Sequence, residues 1–221
     1  MILIWIFISV FGFASTSFFR QYRDVDTLIL VAIGTAINAN IYNAITLPSP
    51  AFGMTFGIDS ILYTLFVFTV YLRAKDYSVN DAKSMAITTI QAILVSAVIE
   101  FFARFLQSGK ISSDLLIIFS NYVISSISSL LCLWLMFGVM KKFSALNKYI
   151  LTFVCILGTV WINSLFYYLP TLFFATEISS VNIGFLFGSL LGKLVCSAIA
   201  VFFYFLNQTV WIADSKKNQV D

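Results

Sequence analysis

Four charged side chains sit inside long apolar runs of this 221-residue chain: Asp59, Glu100, Arg104 and Lys193. The amides Asn38, Asn40, Asn121 and Asn163 occupy the same kind of run. Groups of these types hold and orient a small polar solute. Carboxylates and cations make charge-assisted hydrogen bonds, and an amide offers both donors and acceptors. Glu100 and Arg104 are four residues apart, so a local ion pair on one helix is a competing account of that pair. Asp59 and Lys193 have no neighbour in sequence to neutralise them. A flat heterocycle could stack on Phe56, Tyr63, Tyr122, Trp161, Tyr167 or Tyr168, although Tyr and Trp also collect at membrane interfaces. Catalysis is served poorly. Histidine is absent, and Cys132, Cys155 and Cys196 stand singly with no CxxC spacing. Paired catalytic carboxylates and nucleophile–base spacings are also absent. The chain is therefore expected to hold no metal and no cofactor, and not to be an enzyme. A phosphate-binding loop is missing too, so ATP could act only through a separate subunit.

The elements that must position these residues follow from composition. Hydrophobic residues make up 60% of the chain and charged residues 10%, and the mean hydropathy is +0.96. Soluble domains carry about 25% charged residues, so this chain has too few to cover a wetted surface. A spanning helix needs about 20 mostly apolar residues. Seven such runs are expected, over residues 1–19, 27–47, 51–72, 85–107, 115–140, 149–174 and 183–207. The runs are continuous rather than alternating, which favours helices over a β-barrel. The first run lacks the basic start and small-residue cleavage site of a signal peptide. The expected fold is thus all-α: one integral membrane domain over residues 1–221, a polytopic helical bundle with no separate soluble domain.

Lysine and arginine placement gives the bundle a direction. Arg20 and Arg23 follow the first run, Arg73, Lys75 and Lys83 the third, and Lys141, Lys142 and Lys148 the fifth, while Lys216 and Lys217 lie in the tail. The alternate loops hold only Lys110. The N-terminus is expected outside and the C-terminus in the cytoplasm, in a bacterial inner membrane. With that orientation Asn38, Asn40, Asp59, Glu100, Arg104 and Asn121 fall in the outer half of the bilayer. Asn163 and Lys193 fall near its midplane. An outward-opening polar cavity is the expectation, lined by these residues and Trp161.

Small residues mark close-packed faces. Gly184, Gly188 and Gly192 recur every four residues, and Ala32 and Ala36 do the same. Packing within the chain is the simpler use of such faces. Docking of a partner membrane protein is the other, and on that account the chain would be a scaffold that transports nothing.

The order of motifs resembles a known family. It runs from Ala36-Ile37-Asn38-Ala39-Asn40-Ile41 through Phe52-Gly53-Met54-Thr55-Phe56-Gly57 to Asp81-Ala82-Lys83. A serine-rich fifth run, Leu157-Gly158-Thr159-Val160, and the segment from Gly188 to Leu194 follow. This pattern, over residues 27–207, is similar to the VUT group of vitamin uptake transporters, which includes the queuosine-precursor transporters. The resemblance implies a six-helix core like the substrate-binding S-components of energy-coupling-factor transporters, with an added N-terminal helix. It also implies uptake of a vitamin-like or queuosine-precursor-like solute, and Ala32 and Ala36 as a contact for an ATPase coupling module. Where the family carries an acidic residue at the inner end of the third span, this chain has Val70-Tyr71-Leu72-Arg73. The expected partners are the lipid bilayer, a small solute, and a coupling module or a second copy of the chain, with no nucleic acid.

Overall fold

The computed structural model describes residues 2–19, 47–48, 55–56, 58–110, 113–174, 180–206 and 208. Among them are six helices: α1 Ile2–Phe19, α2 Ile58–Asp76, α3 Val79–Ser108, α4 Ser113–Lys142, α5 Lys148–Phe174 and α6 Ser180–Leu206. Two-residue strands, β1 Leu47–Pro48 and β2 Thr55–Phe56, pair antiparallel ahead of α2. Four stretches are long and apolar enough to cross a membrane: Val79–Gln107, Tyr122–Lys142, Lys148–Phe166 and Leu186–Leu206. The apolar part of α1, Ile6–Ser17, is shorter. The architecture is that of a helical membrane protein. Its outward side chains agree: α3 exposes Val95, Ile99, Phe102 and Leu106, three or four residues apart along one face, a stripe that suits lipid rather than water.

The expected run at 27–47 lies almost wholly outside the described residues, as do Ala32, Ala36, Asn38 and Asn40. The run expected over residues 51–72 differs in place. Its helix starts only at Ile58 and continues to Asp76. Thr55–Phe56 pairs back onto Leu47–Pro48 as a short antiparallel ladder, which keeps those two residues out of the helix. Helix α3 begins six residues before its expected start at 85. There Ser78 adopts an extended backbone and its side chain accepts a hydrogen bond from the Asp81 N–H at 3.0 Å, which satisfies a donor that a helix start leaves open. Gly109, at φ 65°, ends the helix with its N–H on the Phe105 carbonyl at 2.8 Å, a left-handed position that glycine adopts without strain.

Helices α2, α3, α4, α5 and α6 close a ring in chain order, α6 returning to pack on α2, and α2 also touches α5 across the middle. Helix α1 lies against α2 and α6. Phe13 meets Phe68 edge-on at 5.5 Å, and Gly12 lets α1 come close: a Cβ there would stand 2.7 Å from Leu65 Cδ1.

The ring interior has two layers. At the end bearing Lys75, Lys83, Lys141, Lys142 and Lys148 it is mainly apolar and aromatic, with Thr69, Arg73 and Thr152 buried among the apolar side chains. Phe68, Tyr71, Leu72, Leu133, Met136, Leu151, Ile156 and Cys196 are all buried there. The Tyr71 hydroxyl meets Thr152 Oγ1 at 2.8 Å, and Tyr204 packs edge-on against both Tyr71 and Tyr149. Further along α2, α4, α5 and α6 the interior turns polar.

Candidate solute-binding site

The polar layer begins on α6. Ser189, Lys193 and Ser197 are spaced four apart, so they share one face, and all three are buried. Lys193 is the middle residue of the 27-residue α6, about 20 Å of helix from either end. A charge at such a depth is costly and needs company. Its Nζ donates to Ser164 Oγ on α5 at 2.5 Å and stands 5.3 Å from the centroid of the Tyr63 ring on α2, within cation–π range. Ser164 can accept because its own proton goes to the Val160 carbonyl at 2.8 Å.

Beside Ser164, Asn163 is buried and takes two hydroxyls from α4 on its Oδ1: Ser128 at 2.6 Å and Ser129 at 3.4 Å. Tyr63 faces Ser129 but forms no proper hydrogen bond through its buried hydroxyl. Closing the circuit, Ser60 of α2 lies 3.4 Å from Ser189 of α6, hydroxyl to hydroxyl, and Thr64 is tied to the Ser60 carbonyl at 2.6 Å. Four helices thus bring a lysine, an amide, a phenol and a set of hydroxyls to one level. Cys132, one turn past Ser128 on α4, and the apolar layer beneath it form the floor.

The structure brings two of the sequence-predicted site residues, Asn163 and Lys193, into this cluster. Glu100 and Arg104 form a separate group. Arg104 Nε and Nη2 both donate to Glu100 Oε1, at 3.0 and 2.8 Å, and Tyr122, about two turns before Ser129 on α4, donates to Oε2 at 3.3 Å. The Arg104 side chain is 44% exposed. Trp161 spends its indole N–H on the Leu190 carbonyl at 3.0 Å and leaves its ring partly exposed, so it braces α5 against α6. Asp59, Asn121 and Gly184 fall on α2, α4 and α6, but their surroundings lie outside the described residues. Gly188 and Gly192 are buried.

Sequence reasoning passed over Ser60, Ser164, Ser189 and Ser197. The four-residue spacing of Ser189, Lys193 and Ser197, and of Ser60 and Thr64, was the available signal. No family model, curated protein or solved structure matches the chain.

Proposed function

We propose that the chain is a membrane uptake transporter, or the substrate-binding membrane subunit of one, for a small planar polar metabolite of vitamin-like or queuosine-precursor-like kind. One observation carries the reading: a buried polar layer, drawn from four helices at mid-depth, stands directly on a mainly apolar, aromatic floor. Hydroxyls that serve only to glue helices pair locally and satisfy one another. Here the buried Tyr63 hydroxyl faces Ser129 without a hydrogen bond of good geometry. The proposal includes seven spans, an external N-terminus and a polar layer open to the outside. The positive loops at the floor end of the bundle support that orientation. An ATPase module docked at the cytoplasmic face would supply energy. The partner-scaffold alternative draws little support from α6, because Gly188 and Gly192 are already buried within the chain.

The test is a thermal-shift screen of the purified protein in nanodiscs against pterins, deazapurines, flavins and pyrimidines. At least one class should raise the melting temperature, and Lys193→Ala should remove that rise. If no class moves wild type, the uptake reading is wrong.

A further inference from the structure

A basic, aromatic notch faces outward between α3 and α4, near the lysine-bearing end of the bundle and away from the polar layer. Along α4, Leu131, Trp134, Gly138 and Lys141 are all exposed, and their three- and four-residue spacing puts them on one face. Gly138 leaves a gap in that face. Beyond the helix's own backbone, a Cβ built there would meet nothing within 4 Å among the described residues. Trp134 and Lys141 flank the gap one turn to either side, about 10 Å apart along the axis. Lys83 comes across from α3 and holds its Nζ 5.6 Å from the centroid of the Trp134 ring, within cation–π range. Trp134 remains 42% exposed under it. Lys142 is exposed beside Lys141. Asp81 is the acid nearest Lys83 in sequence, and a separation of two residues turns it to another side of α3.

We infer that this notch binds the headgroup of an anionic phospholipid. Lysine ammoniums border it from two helices, and each is all donor and no acceptor, so the group they complement is an anion. The face continues from Trp134 through Leu131 to Ile127, exposed and apolar, so the anion that fits it carries acyl chains. With a phosphate at Gly138, the lysine stems lie along apolar surface and turn their charged ends toward it. The chains then run over Leu131 and Ile127, and the Trp134 ring packs at the glycerol level, the depth at which indoles settle. Basic pockets between membrane helices hold acidic headgroups in this way. Lysines on loops attract acidic lipid without giving it a fixed place. Here the ring under Lys83 and the missing side chain at Gly138 supply the place. A free phosphate would leave the apolar face unused.

Fluorescence quenching tests this with the full chain in vesicles that mix phosphatidylcholine and phosphatidylglycerol, brominated on one lipid and then on the other. Subtracting the Trp134→Phe signal from that of wild type isolates quenching at Trp134. The expected result is a binding constant there roughly fivefold or more higher for phosphatidylglycerol. Lys83→Met should lower that preference. Gly138→Leu keeps every lysine, fills the gap, and should abolish it. Should Gly138→Leu fail to fold, Lys83→Met decides. Equal quenching by the two lipids in wild type overturns the site. A preference unchanged in Gly138→Leu, or in Lys83→Met where that variant decides, also overturns it, because only the general pull of basic loops on acidic lipid would then remain. None of these outcomes bears on the uptake reading.

Discussion

At the scale of single residues, burial and partner choice separate the site from its surroundings. Asn163 holds two α4 hydroxyls on one oxygen. Asn163→Ala should cost about 1 kcal/mol of stability, the usual worth of a hydrogen bond between membrane helices, and should also remove solute binding. Chemical unfolding in detergent and a binding assay on the same sample check both. Glu100→Gln should behave differently. The ion pair it disturbs is partly open to its surroundings and lies along one helix, with a single long hydrogen bond from Tyr122 of α4, so the stability change should stay below about 1 kcal/mol, with solute affinity unchanged. A Glu100→Gln protein that loses binding would place that group in the site after all. Lys193 and Asn163 were legible in the sequence because a charge or an amide in an apolar run is expensive and stands out. Ser60, Ser164 and Ser189 were not. A hydroxyl in a membrane helix can bond its own backbone four residues back, as Ser164 does, so its presence announces nothing.

At the scale of elements, the helices are held by a few specific contacts. Gly12 sets the approach of α1 to Leu65. Gly12→Leu should push α1 away and cost about 1–3 kcal/mol. The loss should appear as a lowered melting temperature with solute binding retained, since α1 lies outside the ring. Tyr71→Phe removes the hydroxyl contact to Thr152 in the floor. It should destabilise by about 1 kcal/mol, read by the same unfolding measurement. Helices α3 to α6 were legible because each is a long apolar run bounded by charge, and their observed ends fall within a few residues of expectation except at the start of α3. The Ser78 cap extends that start, and it is a local polar signal that a search for apolar runs ignores. The short ladder before α2 was missed for a related reason. Residues 51–57 are apolar enough to read as span, and the pairing of Thr55–Phe56 with Leu47–Pro48 leaves no mark in a hydropathy pattern.

At the scale of the whole molecule, the interior is layered. A cluster of polar groups occupies one level of the ring, and a mainly apolar, aromatic floor that also buries Thr69, Arg73 and Thr152 occupies the level nearest the basic loops. The sequence pattern indicated that polar groups would gather. It could not show that Lys193 would meet Ser164 rather than the Glu100–Arg104 pair, because that choice depends on which helices pack side by side. The central claim is that the polar layer is open to solute from outside and sealed from within. Cysteine accessibility tests it most directly, in a background where Cys132, Cys155 and Cys196 are replaced by alanine. The account predicts that Ser129→Cys reacts with a membrane-impermeant thiol reagent added outside, and that Met136→Cys in the floor reacts from neither side. Labelling of Ser129→Cys only from the cytoplasmic side, or labelling of Met136→Cys as fast as Ser129→Cys, would contradict it.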